Sequence, residues 1–324
     1  MNYNNIKLLF KRNYDNVMLF AILLISIAVM SFANNKFLQL GTFESLAYQL
    51  PEMGLLTLAM MVTMISGGIN LSCIASANLS GILMAMMMTR LIPAGGDNVP
   101  LILVIMAAGV LVSIAVGVLN GIVIANFRVP AMLATLGTQM LMNGICLILT
   151  KGEIISGYPP SFLFIGNGTL GPIPMPLAVF IICGAIMAVS LKLLPLGSQI
   201  YMYGSNPVAT EFSGVNVKRM LLKTYAFSGF FVGIAAILLT SRFNSAAAGY
   251  AESYLLQAVL IAVLGGVNPN GGAGRVTGVA LSLIILQVVA SGLNLLRISS
   301  YLNMALWGLI LLLAVAIRSR RSRA

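Results

Sequence analysis

Apolar residues run along this chain in long blocks broken by short polar or charged stretches, and within the blocks they do not alternate as a half-buried strand would. The blocks predict helices near 17–33, 46–66, 71–89, 100–126, 130–150, 175–194, 222–241, 254–266, 276–296 and 299–317. About 20 apolar residues in helical form cross a hydrocarbon core of about 30 Å. The expectation is an all-α polytopic membrane protein with about ten transmembrane helices, in a single domain over residues 1–324. A β-barrel would show short alternating segments instead.

Two blocks do not fit one crossing each. Met53 to Thr89 is 37 residues without a charge, roughly 55 Å as helix, and MISGGINLS (64–72) puts two glycines, an asparagine and two serines in its middle. Tyr254 to Leu264 is only 11 strongly apolar residues, about 16 Å or half a bilayer. VLGGVNPNGG (263–272) follows it, loosely repeating the first motif. Irregular backbone in lipid exposes polar groups at several kcal/mol each, so it persists only when packed against protein or lining a watery cavity. Two readings stay open. In one, the breaks line a passage, with Gly67, Gly68, Asn70, Ser72, Gly265, Gly266 and Asn268 as lining residues and Asn70 capping a helix that starts near Leu71. In the other, they are tight turns at a membrane face, their glycines letting helices approach closely.

Composition agrees with a membrane protein: 59% of the residues are hydrophobic and 8% charged, against about 25% charged in a soluble domain. The net charge of +11 lies between the apolar blocks, and no basic patch with interleaved aromatics points to nucleic acid. Ten crossings would place both termini on one side. With that side cytoplasmic, it holds Lys7, Lys11, Arg12, Arg128, Lys192, Lys218, Arg219, Lys223, Arg275, Arg318, Arg320, Arg321 and Arg323, or 13 of 18 basic residues, as the positive-inside rule requires. Lys36, Arg90, Lys151, Arg242 and Arg297 fall outside. Ser31-Phe32-Ala33 resembles a signal cleavage pattern, but the preceding apolar run is long for that purpose.

The candidate chemistry is narrow. There is no histidine, and Cys73, Cys146 and Cys183 sit in apolar blocks, so neither a metal site nor a disulfide framework is expected. No GxxxxGK[ST] occurs, so the chain is not its own motor, and no catalytic residues are assigned. Glu52 is the only carboxylate near a span interior. An ion-coupled carrier, the competing class, keeps ionisable groups at membrane depth despite about 2.5–3.5 kcal/mol each on insertion scales. A non-transporting scaffold, a third class, would have no use for two broken segments. Polar span residues are instead amides: Asn120, Gln139, Asn143, Gln257, Gln287, Asn294 and Asn303. These suit a neutral, hydroxyl-rich cargo, and Gln139 and Asn143 join the candidate pathway.

Four ordered stretches resemble one family: SGGINLS, then RVPAMLATLGTQMLMNGICLILTKGEIISG (128–157), YGSNPVATEFSGVNV (203–217) and AVLGGVNPNGGAGRVTG (262–278). They look like the permease subunit of ribose-type bacterial ABC importers, which carry monosaccharides and related small polar solutes. Asn70 stands where that family usually has an aspartate (GGIDLS). The resemblance implies a multi-pass protein of the bacterial cytoplasmic membrane with no cofactor of its own. It implies a second permease subunit, identical or homologous, and a separate cytoplasmic ATPase carrying ATP and Mg. It further implies a periplasmic or lipid-anchored solute-binding protein. Nucleosides or cyclic polyols are the alternative cargo. The ATPase would dock on the inner segment within 195–221, where Gly204, Asn206, Pro207, Ala209, Gly214 and Asn216 match the family pattern.

Overall fold

A computed structural model describes residues 14–93 and 95–321. Lys7, Lys11, Arg12 and Arg323, assigned above to the cytoplasmic side, lie outside the described residues. The chain forms α1 (Tyr14–Ala33), α2 (Leu40–Ile65), α3 (Cys73–Leu91), α4 (Val99–Phe127), α5 (Ala131–Thr150), α6 (Pro160–Asn167), α7 (Met175–Leu193), α8 (Pro195–Ser205), α9 (Pro207–Phe212), α10 (Val217–Phe243), α11 (Tyr254–Leu264), α12 (Val276–Leu295) and α13 (Ser300–Arg321). The strands are two residues each: β1 (Ile155–Ser156) pairs antiparallel with β4 (Ser245–Ala246), and β2 (Thr169–Leu170) with β3 (Ile173–Pro174).

Each of the ten apolar blocks holds a helix. Eight of these are long and apolar enough to cross a membrane: α1, α2, α3, α4, α5, α7, α10 and α12. The apolar helices Tyr254–Leu264 and Leu302–Leu312 are shorter.

The tract from Met53 to Thr89 resolves differently from its charge pattern. Helix α2 begins at Leu40 and runs 26 residues through Pro51 and Glu52, and α3 has 19 residues. That is about 39 Å and 28 Å, two full crossings joined by a turn. Glu52 does not end a span, because the Arg242 side chain at the end of α10 pairs with its buried carboxylate. Neutralised in this way, a charge can sit inside a helix bundle.

Helix α10 is the centre of the bundle and packs most extensively on α4, then on α2 and α3. The sequence cause is a reciprocal pair of small-xxx-small ridges. Added methyl groups at Gly117 or Gly121 of α4 would run into the α10 backbone at Tyr225 and Leu222. At Gly229 or Gly233 of α10 they would run into α4 at Ser113 and Val110. In lipid, where apolar burial does not drive helices together, such backbone approach supplies the dispersion contacts that do. Apolar side chains such as Leu103, Val104, Met140, Ile148, Ile181 and Ile182 remain exposed on the outer helices, as a lipid-facing belt requires.

The helices run between two ends. One carries Arg128 after α4, the short helices α8 and α9, and Lys218 and Arg219 in the first turn of α10. We call it the basic end. The opposite end carries both small sheets. There Gly166 N–H donates to Ser241 Oγ (2.7 Å) and Asn34 Nδ2 to the Leu295 carbonyl (3.2 Å).

Candidate functional site

Both glycine breaks are the same helix-ending turn. After α2, Gly67 takes φ +80°, the Gly67 N–H donates to the Met64 carbonyl and the Gly68 N–H to that of Thr63. After α11, Gly266 takes φ +93°, with Gly266 N–H to Val263 and Val267 N–H to Ala262. This pairing is the Schellman motif, which uses a left-handed residue to satisfy a helix's last carbonyls. The echo in the sequence is therefore real as a device but shifted by one residue: the left-handed glycine is the first of the pair at 67–68 and the second at 265–266. Asn70 and Asn268 consequently do not occupy matching places. Asn268 Oδ1 accepts the Asn270 N–H inside its own loop (3.1 Å).

Asn70 does not cap the following helix, contrary to the sequence expectation. The cap position is Ser72, which makes no side-chain capping bond. Asn70 is buried and belongs to a chain of polar side chains instead. Asn120 Nδ2 donates to Ser72 Oγ (2.8 Å), Ser72 Oγ to Asn70 Oδ1 (2.8 Å), Asn70 Nδ2 to Ser228 Oγ (3.2 Å), and Ser228 Oγ to the Ala59 carbonyl (2.8 Å). The chain ties α2, α3, α4 and α10 just beyond the first break. Capping loses because both ends of the Asn70 amide find partners here, and a buried amide left unsatisfied would cost about 1–3 kcal/mol. Thr135 Oγ1 of α5 adds a further tie, donating to the Ile69 carbonyl (2.8 Å).

The two breaks and the segment 195–221 meet. Gly272 N–H donates to the Ile65 carbonyl at the end of α2 (2.8 Å). Gly204, near the end of α8, lies against both: a methyl group there would overlap the Ile65 carbonyl and the Gly272 amide. A methyl group on Gly271 would lie 2.7 Å from the Gly204 carbonyl and 2.9 Å from the Gly67 nitrogen. Tyr201 of α8 donates its hydroxyl to the Gly274 carbonyl (2.7 Å). Glycine at 204, 271 and 272 is thus required by backbone-to-backbone contact, a tolerance that other residues lack.

Beyond this junction the segment projects outward. Asn206 Oδ1 accepts the Ala209 N–H (2.9 Å) and caps α9, with Pro207 in its first turn. Asn216 Oδ1 accepts the Arg219 N–H (3.0 Å) and caps α10. Asn206, Pro207, Ala209, Gly214 and Asn216 are all exposed, and Gly214 stands at φ +80° with open space around it. Two apolar side chains share this surface: Val208 is 64% exposed and Phe212, one turn on, 89%. Sequence reading missed them. Their signal was an i, i+4 apolar pair in an otherwise polar connector.

Between the first break and α9 lies a cavity of about 410 Å³, lined among others by Gly67, Gly68, Arg128, Tyr203, Glu211 and Lys218. Burial, then the nearby Glu211 carboxylate, raises the Tyr203 phenol above its ordinary pKa. Gly67 is exposed to this space, whereas Asn70 and Ser72 are buried behind it. Gly265, Gly266 and Asn268 do not line it, and Gln139 and Asn143 sit half-buried along α5. The remaining span amides, Gln257, Gln287, Asn294 and Asn303, gather toward the opposite end around a separate cavity. Among the described residues no cluster of metal-ligating side chains occurs.

Comparison with known proteins places this geometry. The family model described as branched-chain amino acid transport system / permease component matches residues 42–315. Similar curated proteins include the ribose import permease protein RbsC of Haemophilus influenzae, 32% identical over 300 residues, 91% of this chain and 90% of that protein. The RbsC protein of Bacillus subtilis is 32% identical over 302 residues, covering 93% and 91%. The autoinducer 2 import system permease protein LsrD of Photorhabdus laumondii is 31% identical over 305 residues, covering 92% and 89%. No solved structure matches the chain.

Proposed function

Because the chain belongs to the branched-chain amino acid transport system / permease component family, we propose that it is the membrane-spanning subunit of an ATP-driven importer for a neutral monosaccharide or sugar-like solute. Its partners in this reading are a second permease subunit, a cytoplasmic ATPase that holds ATP and Mg, and a solute-binding protein that delivers cargo. The relatives that align over nine-tenths of the chain are named as ribose and autoinducer 2 permeases, which favours a sugar-like cargo over an amino acid.

The observation that carries the reading is the seat of Gly204 against both helix breaks, with α9 presented outward beside it. The exposed Val208 and Phe212 are the apolar anchors on which the ATPase docks, and aromatic anchors of this kind dominate interface energies. Closure of the ATPases pushes α9. With backbone packed on backbone at Gly204, Gly271 and Gly272, that push reaches the inner ends of α2 and α11 without being absorbed by flexible side chains. The cavity beside Gly67 and Gly68 then opens or closes at the inner face. Gly67, Gly68, Asn70, Ser72, Gly265, Gly266 and Asn268 act here as the hinge of the pathway, with Gln139 and Asn143 on α5 along it.

An ion-coupled carrier is the weaker reading, because among the described residues the carboxylate set deep in a span, Glu52, is ion-paired with Arg242 and lines neither cavity. The test is reconstitution into vesicles with the ATPase and binding protein, measuring uptake of labelled ribose. Uptake should require ATP and survive an ionophore. Phe212→Asp should lower it at least about tenfold, the loss of one interface anchor, while the permease still inserts. Full uptake by that variant would overturn the docking assignment, and uptake abolished by an ionophore but indifferent to ATP would overturn the importer reading.

A further inference from the structure

Toward the sheet end, the cavity remote from the junction has a volume of about 350 Å³ and is lined by Gln49, Gln257, Gln287, Asn294, Asn303 and Trp307, among others. We propose that it is a binding site for one neutral, hydroxyl-rich solute molecule, a monosaccharide or cyclic polyol, on its way through the membrane; this rests on the importer reading above.

Four observations converge on it. The first is concentration: five amides from four helices, α2, α11, α12 and α13, reach one space. Elsewhere the spans' amides are isolated or, like Asn70 and Asn120, drawn into a buried chain, in which Asn120 Oδ1 is left without a partner among the described residues. An amide offers two donors and an acceptor with two lone pairs, matching hydroxyl groups that both give and accept.

The second is incomplete satisfaction. Gln287 Nε2 donates to Gln49 Oε1 (2.9 Å) and Asn303 Nδ2 to Asn294 Oδ1 (3.4 Å), which leaves capacity unused. Asn303 Oδ1 is buried with no hydrogen-bond partner, and the Gln257 side chain makes no hydrogen bond among the described residues. A buried acceptor without a partner is costly, and a bound hydroxyl would satisfy it.

The third is electrical neutrality. No Asp, Glu, Lys or Arg lines the cavity. Glu52, one turn along α2 from Gln49, has its charge neutralised by Arg242. A phosphorylated or zwitterionic solute would enter without a counter-charge, at the desolvation cost that excludes ions from low-dielectric sites. The fourth is Trp307, the chain's only tryptophan and buried. It gives the apolar surface that a sugar ring's C–H face needs, in a volume within the usual range for small-molecule sites of about 300–1,000 Å³.

The single tryptophan also makes the experiment direct. The full chain in lipid nanodiscs, without ATPase or binding protein, would be titrated with ribose, galactose, myo-inositol and ribose 5-phosphate while Trp307 emission is followed. At least one uncharged compound should produce a saturable change and the phosphate ester none. Gln257→Leu, which removes an amide without a hydrogen-bond partner among the described residues, should weaken that response about tenfold, the cost of one lost hydrogen bond with an unpaired partner. Gln257→Asn should recover part of it. A response to no neutral compound, an equal response to the phosphate, or a response unchanged in Gln257→Leu would each overturn the site. If the assembled importer still takes up ribose with ATP while Trp307 stays silent, the importer reading stands and this cavity is not its binding site.

Discussion

At the scale of single residues, burial and partnership decide what each polar group does. Glu52 is 2% exposed and its carboxylate depends on Arg242. Removing one partner of a buried pair leaves an uncompensated charge, at about 3–5 kcal/mol. Arg242→Met should therefore lower the midpoint of thermal unfolding in detergent markedly. The double variant Glu52→Leu with Arg242→Met should recover most of the loss, because apolar packing replaces such pairs at little cost. A single variant as stable as the parent would show that the pair contributes nothing. This pairing was not legible in the sequence, where the partners stand 190 positions apart; the block expected at 46–66 already contained Glu52, and the helix starts earlier, at Leu40. The same holds for Asn70. Local pattern suggested a helix cap, but its partners Ser228 and, through Ser72, Asn120 come from α10 and α4, and only the folded bundle brings them within reach. By contrast the helix start at Asn206-Pro207 was legible locally, since a capping asparagine needs only the backbone two or three residues ahead; the same cap at Asn216 is of that local kind.

Between elements, close approach is what orders the bundle. The α4–α10 contact rests on Gly117 and Gly121 facing Gly229 and Gly233, with backbone atoms where a side chain would go. Overpacking such a site costs about 1–3 kcal/mol, occasionally more, and here backbone rather than a mobile side chain would have to yield. Gly117→Leu should destabilise the solubilised chain by about 3 kcal/mol, measured by thermal or denaturant unfolding. Gly137→Leu on α5, where an added Cβ meets nothing within 4 Å, should change stability little. Equal effects from the two would mean that the ridge is not what holds α4 to α10. Uncharged apolar runs located the ten apolar helices, because a lipid-crossing helix must be apolar over its whole length, and eight of them are long enough to cross. They did not reveal which glycines face which, since glycine's role depends on what lies opposite. The two breaks were visible as motifs, and their common Schellman geometry follows from a helix end followed by a residue at positive φ. Their one-residue offset, and their meeting with Gly204, required the tertiary contact between α8 and the loop after α11.

For the whole molecule, the question is which end faces the cytoplasm. Basic residues separate the ends: Arg128, Lys192, Lys218, Arg219, Lys223 and Arg275 flank the junction end, against Lys36, Arg90, Lys151, Arg242 and Arg297 at the other. The excess grows if α13, which starts beside Arg297 and is 22 residues long, about 33 Å, returns Arg318, Arg320 and Arg321 to the junction end. By the positive-inside rule this charge pattern predicts a cytoplasmic junction, where the proposed ATPase would reach α9, and an amide cavity toward the outer side. On the proposed importer reading the two sites would be ordered along the membrane normal: selection by amides first, release past the glycine junction second. Labelling tests this order directly. The native cysteines Cys73, Cys146 and Cys183 are all buried, so an introduced exposed thiol reports against a quiet background. In intact cells a membrane-impermeant thiol reagent should label Lys151→Cys, in the connection before β1, and should spare Ser213→Cys, just after α9. Permeabilised cells should label both. The reverse pattern would turn the molecule over, leave α9 out of reach of any cytoplasmic ATPase, and remove the physical basis for coupling through Gly204.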